Sequence, residues 1–233
     1  LIGVPIGYHA ALGIKYAISG RPNSVATSGA SPSLPQYGRN QAYTWQRLTS
    51  WILLLGIIGH VAYMRFYLYP THAVSGVRSA YFVRVHQDDG LAAVAKRLGV
   101  SLYNEGDVDR EVRQLRLYND PYEEEWVRAL AKRPLRSGEV IAEADNFGTV
   151  TLLNVRNSFQ NVWTCILYTI FVVSAVFHAF NGLWTFMITW GIVIRMRSQK
   201  QSVNVCIGLM LLLGFLGLAS VWGSYWINLR GWR

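Results

Sequence analysis

The sequence predicts an all-α transmembrane helix bundle that carries an extramembrane α/β insertion. Three observations point there. All thirteen acidic residues lie between Asp88 and Asp145, so both ends of the chain are long stretches without a carboxylate. The 233 residues are 52% hydrophobic with a mean hydropathy of +0.20, too apolar for an ordinary soluble domain of this size. Of the 22 Lys and Arg, twelve lie between Arg78 and Arg156, and the other ten stand where there is no acid. The net charge of +9 therefore reads as membrane topology, and no nucleic-acid partner is expected.

The pattern divides the chain into residues 1–70, 71–159 and 160–233: two spans with a loop, an insertion, and two further spans. Residues 1–19 are apolar, contain His9 and resemble the second half of a membrane helix. The chain opens with Leu inside that run and lacks the basic start and small-residue cleavage site of a signal peptide. A longer protein with at least half a helix upstream is expected. Residues 20–43, rich in Ser, Pro and Gly and holding Arg21 and Arg39 without acid, read as a short basic loop.

Residues 45–69 follow, about 37 Å long as helix and enough to span a bilayer. Arg47 stands at the predicted start. Tyr63, Phe66, Tyr67 and Tyr69 crowd the other end as an interfacial belt, Arg65 can snorkel, and Pro70 stops the helix.

Residues 71–159 are charged, mixed in sign and too long for a simple loop. A strand is expected at 81–85, helices at 91–98 and 123–132, and two strands, 139–144 and 149–155, around a hairpin turn at Asp145-Asn146-Phe147-Gly148. The run Glu123-Glu124-Glu125 suits a helix start, where negative charge is favoured. No catalytic motif is present.

Residues 160–194 read as a long central helix, and 170–200 as one transmembrane helix with His178 near its middle. Residues 195–201 read as a second basic loop, and 203–227 as the last span. Gly208, Gly214, Gly217 and Gly223 would give it close helix contacts, and Trp222, Tyr225, Trp226 and Trp232 a terminal belt. Both short loops are basic, which places them on the cytoplasmic side and the insertion and C-terminus outside, although Arg230 and Arg233 oppose this. Cys165 and Cys206 sit in apolar runs and are expected as buried free thiols.

Three predicted spans carry one histidine each, His9, His60 and His178, and hold no other ionisable group at depth. An ionisable side chain within a bilayer is costly without a partner, so these are candidate functional residues. A lone membrane histidine is commonly a hydrogen-bonded packing residue. Three on separate helices fit haem ligation better, because neutral imidazole is an iron ligand and facing helices can hold one haem between two histidines. A proton relay would add Asp or Glu at depth, and zinc needs three or four ligands at one level. His60 lies toward one end of its span and His178 nearer the middle, so two sites at two depths would need a fourth histidine. His72 and His86 fall outside the spans as surface residues. Arg47 suits either a topology anchor or a haem propionate partner.

Several segments resemble the cytochrome b membrane anchor of bacterial succinate dehydrogenase, in its single-subunit, five-helix, two-haem form. They are residues 5–23 with Tyr8-His9-Ala10, Gln46-Arg47-Leu48-Thr49 followed by His60-Val61, and Phe177-His178-Ala179-Phe180-Asn181-Gly182-Leu183-Trp184 through Thr189-Trp190-Gly191 to Arg197-Ser198-Gln199. The resemblance covers helices two to five of that family. It implies that His9 and His178 ligate the haem b nearer the catalytic subunits. His60 would ligate a distal haem b with a histidine of helix one, which lies outside this sequence. Arg47 and Asn181 are the further haem-binding candidates.

The function implied is passage of electrons from an iron–sulfur subunit through two b haems to a membrane quinone, menaquinone in anchors of this type. A flavoprotein subunit with FAD would oxidise succinate, and the chain itself would have no independent activity. Its surroundings would be lipid of the bacterial cytoplasmic membrane, with the catalytic subunits on the cytoplasmic side and a higher oligomer of the complex as a further option. A fumarate reductase anchor, a haem-free scaffold or transporter subunit, and a dihaem quinol oxidase or hydrogenase anchor are the competing readings. The 71–159 insertion exceeds the connection in compact members of the family.

Overall fold

A computed structural model describes residues 3–20, 34, 36–75, 78–118 and 121–229. Arg21, Arg230, Trp232 and Arg233 lie outside them. The elements in order are α1 (Gly3–Ser19), α2 (Gly38–Ala62), a π-helical turn (Tyr63–Tyr67), β1 (Thr71–Ser75), β2 (Arg78–His86), α3 (Leu91–Leu98), β3 (Ser101–Tyr103), α4 (Glu105–Tyr118), α5 (Pro121–Ala131), β4 (Glu139–Ala144), α6 (Phe147–Ser158), α7 (Val162–Thr189) and α8 (Met196–Leu229). Among the described residues, three helical segments are long and apolar enough to cross a membrane: Gly38–Tyr67, Val162–Thr189 and Met196–Asn228. The chain folds as two compact units.

The first unit holds residues 3–60 and 167–219 as far as they are described. It is built from α1, α2, α7 and α8. α2 begins at Gly38, seven residues before the predicted start. Arg47 therefore lies inside the helix, and the free N–H groups of a helix start are not beside it.

The apolar run 170–200 is not one helix. α7 ends at Thr189, and Gly191 takes φ +69°. The Ile192 N–H donates to the Met187 carbonyl at 2.9 Å and the Gly191 N–H to that of Ile188 at 3.1 Å. These are the two bonds of a Schellman stop, which needs a left-handed residue and so selects glycine. Hydropathy runs on across Thr189-Trp190-Gly191, which hides this stop from a pattern reading. The turn is 190–195, and the expected basic loop is largely helix: Arg197 and Lys200 ride the first turns of α8.

Of the four α8 glycines, Gly217 makes the expected close contact and Gly214 an ordinary one. A Cβ added at Gly217 would lie 2.8 Å from Val172 Cγ1, and one at Gly214 would lie 3.7 Å from Val176, whereas Gly208 and Gly223 face open space. Gly56 on α2 makes the tighter approach, where a Cβ would stand 2.5 Å from the Phe171 ring. Side chains such as Leu55, Leu211 and Phe215 remain 65–70% exposed, as lipid-facing positions do.

The second unit is organised by an antiparallel sheet in the order β1-β2-β4-β3. Val85 pairs with Val140, Phe82 with Thr71, and Leu102 with Ala142. Alternate side chains point to opposite faces. Val83, Val85, Val140 and Ala142 pack with Leu91 and Ala95 of α3 and Val150 and Leu153 of α6. Ala80, Phe82 and Ile141 pack on the other face with Ala129 and Leu130 of α5. The expected α/β character holds, with helices on both faces. α3 spans the predicted 91–98, and Glu123 and Glu124 occupy the first turn of α5.

One expected hairpin is absent. Residues 149–155 lie within α6. Asn146 is extended (φ −136°, ψ 145°), and its Oδ1 accepts the Thr149 N–H at 2.8 Å, an N-cap where a turn was expected. The β-branched run Thr149-Val150-Thr151 suits a strand locally, but its Val150 and Leu153 bury best from a helix lying across the sheet. β1, unmarked in the sequence, supplies the fourth strand instead. α4 was likewise unmarked, and starts with Asn104 and Asp107 exchanging side-chain to backbone bonds at 3.0 and 3.1 Å.

Polar bonds tie this unit's loops to its core. Asp88 accepts both Arg156 guanidinium nitrogens at 2.6 and 2.7 Å, Gln160 Nε2 at 2.6 Å and the Gly90 N–H at 2.9 Å. Burial pushes its carboxyl upward, but Arg156 and these donors outweigh that and hold it below its ordinary 3.8. Arg133 donates to the Tyr67 and Tyr69 carbonyls at 2.8 and 3.0 Å, and Asn154 to that of Leu68 at 2.7 Å. The carbonyls that a helix end leaves open are thereby satisfied. His72 and His86 are exposed, as expected, and Cys165 and Cys206 are buried free thiols.

Candidate functional site

Within the first unit, α1 and α7 bring His9 and His178 together. Their ring centroids are 6.1 Å apart and their planes stand at 87°. His178 is half-buried and His9 exposed.

The surroundings of His178 come from α2. Thr49, 6% exposed, places its Oγ1 3.4 Å from His178 Nδ1. That hydroxyl also bonds the Trp45 carbonyl at 2.8 Å. A hydroxyl has one proton, and the carbonyl can only accept it. Toward the imidazole, then, Thr49 accepts, and the bonded nitrogen Nδ1 carries the proton. The Nε2 lone pair is left available to a metal ion.

One turn earlier on α2, Gln46 Nε2 donates to the His178 backbone carbonyl at 3.1 Å, and Gln46 Oε1 accepts Asn181 Nδ2 at 2.8 Å. Trp184 Nε1 donates to Asn181 Oδ1 at 3.0 Å. Three polar side chains thus satisfy one another beside the histidine. A Cβ at Gly182 would stand 3.5 Å from Gln46 Nε2, an ordinary van der Waals contact. Beside this network is a cavity of about 520 Å³ whose walls include Arg39, Phe177, Phe180, Asn181, Trp184 and Met210. Such a volume is typical of small-molecule sites.

Arg47 faces the end of α1. Its Nη2 donates to the carbonyls of Ala17 and Gly20, the latter at 3.1 Å, and its guanidinium lies 5.7 Å from the Tyr43 ring centre. Its Nη1 is buried without a hydrogen-bond partner among the described residues.

His60 belongs to a different group. Its Nδ1 is 2.7 Å from the Tyr168 hydroxyl, and its ring stacks on Phe171 at 6.3 Å and 26°. Tyr168 and His178 are ten residues apart on α7, about 15 Å along a helix axis. The structure therefore brings His9 and His178 together and sets His60 with other partners.

Gln46, Thr49, Trp184 and Tyr168 were not singled out as site residues by the pattern reading. Their signal was present: Gln46 and Thr49 are polar side chains three apart in an apolar helix, hence on one face. A sequence does not show which helix that face meets.

A stretch of 54 residues is 41% identical to part of the succinate dehydrogenase cytochrome b558 subunit of Bacillus subtilis (strain 168), and covers 23% of this chain and 27% of that subunit. The likeness thus spans about a quarter of that relative's length. No family model and no solved structure matches the chain.

Proposed function

We propose that this chain is the cytochrome b membrane anchor of a bacterial succinate:quinone oxidoreductase, of the five-helix, two-haem type. The observation that carries the reading is the pairing of His9 with His178, centroids 6.1 Å apart on separate helices. The likeness to a succinate dehydrogenase cytochrome b558 subunit supports it.

The residues fit a haem. His9 and His178 would hold the iron through neutral imidazole nitrogens, and their rings stand 6.1 Å apart on separate helices. Arg47 offers a buried N–H without a partner among the described residues, the donor that a propionate seeks. When bound, haem b supplies one-electron transfer at a potential set by its ligands and burial.

The chain's own residues prepare that site. Thr49 fixes the His178 tautomer, Gln46 holds the His178 carbonyl, and Asn181 and Trp184 brace Gln46. His60 would ligate a second haem b. Electrons reach the anchor from an iron–sulfur subunit served by a flavoprotein with FAD, on the cytoplasmic side of the membrane, and leave to menaquinone. The sheet-containing segment, residues 71–159, lies outside the bilayer on the opposite side.

The test is a dithionite-reduced minus oxidised spectrum of the purified complex, with pyridine haemochrome quantitation per chain. Two b haems are expected. One haem would confine ligation to His9 and His178, and none would sink the electron-transfer reading.

A further inference from the structure

We infer that Tyr168 is a positioning residue for His60: its phenol oxygen accepts the His60 Nδ1 proton and presents Nε2 as the ligating atom. The inference rests on the haem reading of His60 given above.

Two contacts define the imidazole. Its Nδ1 lies 2.7 Å from the Tyr168 hydroxyl, a short hydrogen bond. One face stacks on the Phe171 ring, with centroids 6.3 Å apart and planes at 26°. Phe171 itself is seated over Gly56, where any Cβ would come within 2.5 Å of its ring, and it meets Tyr168 edge-on at 6.2 Å and 82°. A glycine on α2 thus admits the aromatic ring that backs a histidine one turn later on the same helix.

The two nitrogens of a neutral imidazole are not equivalent, because one carries the proton and the other the lone pair. A hydrogen bond at Nδ1 decides between them. With the phenol oxygen as acceptor, Nδ1 carries the proton and the lone pair falls on Nε2. His60 remains exposed among the described residues despite these two neighbours. In an apolar segment, an imidazole nitrogen without a partner is costly, and a metal bond at Nε2 removes that cost.

His60 and His178 thereby share one device built from different groups. The Thr49 hydroxyl stands at Nδ1 of His178, and the Tyr168 hydroxyl stands at Nδ1 of His60. An acceptor at the distal nitrogen orients the ring and raises the basicity of the ligating one. A more basic ligand favours the oxidised metal and lowers the reduction potential.

The experiment is spectropotentiometry and low-temperature EPR of the Tyr168→Phe variant in the assembled complex. Haem content should be unchanged. The midpoint potential of one b haem should rise and its EPR signal shift, while the other haem keeps both. Unchanged potentials and signals at full haem content would overturn the inference. Phe171→Leu disturbs the packing and leaves the hydrogen bond in place. An equal potential shift there would assign the effect to packing and also overturn it. His60→Ala separates the two levels. If it leaves haem content unchanged, the ligand reading of His60 fails and this inference with it. If it removes one haem while Tyr168→Phe moves nothing, the positioning role alone fails.

Discussion

Asn181 Nδ2 donates to Gln46 Oε1 at 2.8 Å, joining α7 to α2 three residues beyond His178. Gln46 passes the connection on through its amide to the His178 carbonyl, and Trp184 anchors Asn181 from the other side. Each polar atom of this short chain has a neighbour that suits it, which is what a polar group in an apolar helix pair requires.

Replacing Asn181 with Leu breaks that chain in the middle. Gln46 Oε1 and the Trp184 N–H both lose a partner, and each such loss costs about 1–3 kcal/mol. Asn181→Leu should keep both haems but lower the melting temperature of the complex and shift the potential of the haem at His178. The disturbance should be smaller than that of losing a ligand. Potentiometry checks it, and an unchanged potential would reduce Asn181 to packing.

His178→Ala removes a proposed ligand outright. Haem content should fall from two per chain to one, with the His60 haem keeping its spectrum. Pyridine haemochrome quantitation reads this directly. If both haems persist with bis-histidine spectra, the ligand assignment is wrong.

Arg47→Met keeps most of the side-chain length and removes the guanidinium. The Ala17 and Gly20 carbonyls at the end of α1 then lose a charged donor. Hydrogen bonds to charged groups contribute about 1.5–3 kcal/mol. The variant should melt earlier and hold the haem at His9 and His178 less tightly under detergent titration. Arg47→Lys should restore the parent only in part, since one nitrogen can meet both carbonyls but the donor at Nη1 is lost. Full recovery by Lys would show that charge alone matters.

The Asp88 carboxyl is held below its ordinary 3.8, chiefly by Arg156, against the upward push of burial. A group depressed in the folded state stabilises the fold above its unfolded value, and that stability is lost as pH falls through the folded value. The parent should therefore out-melt Asp88→Asn at neutral pH. The gap should close as pH drops below 3.8 and the parent's carboxyl takes up its proton. Thermal melts of both proteins on either side of that value test the sign. A gap independent of pH would mean that Asp88 acts by shape and not by charge.

Much was legible in the chain itself. Hydropathy and the segregation of acidic residues mark the spans and the insertion, because a span must exclude carboxylates and satisfy its backbone internally. α3 and the acidic start of α5 follow from local periodicity and helix-end electrostatics, which act over a single turn. The three span histidines stand out because charge-bearing groups are scarce there.

Other features depended on contacts between distant residues. Thr149–Val155 has strand-like composition, yet burying Val150 and Leu153 against β2 and β4 makes it helix, and the fourth strand comes from Thr71–Ser75. The stop at Gly191 is written in one residue's left-handed backbone, which a hydropathy average passes over. Arg47 appeared to begin a helix and instead lies within one, donating to the end of another. Above all, the sequence supplied three histidines and, through a family resemblance, the expectation that His9 pairs with His178, whereas only the tertiary structure decided that His60 turns to Tyr168. Periodicity fixes which face of a helix a side chain occupies, but the partner of that face is chosen by packing against helices more than a hundred residues away.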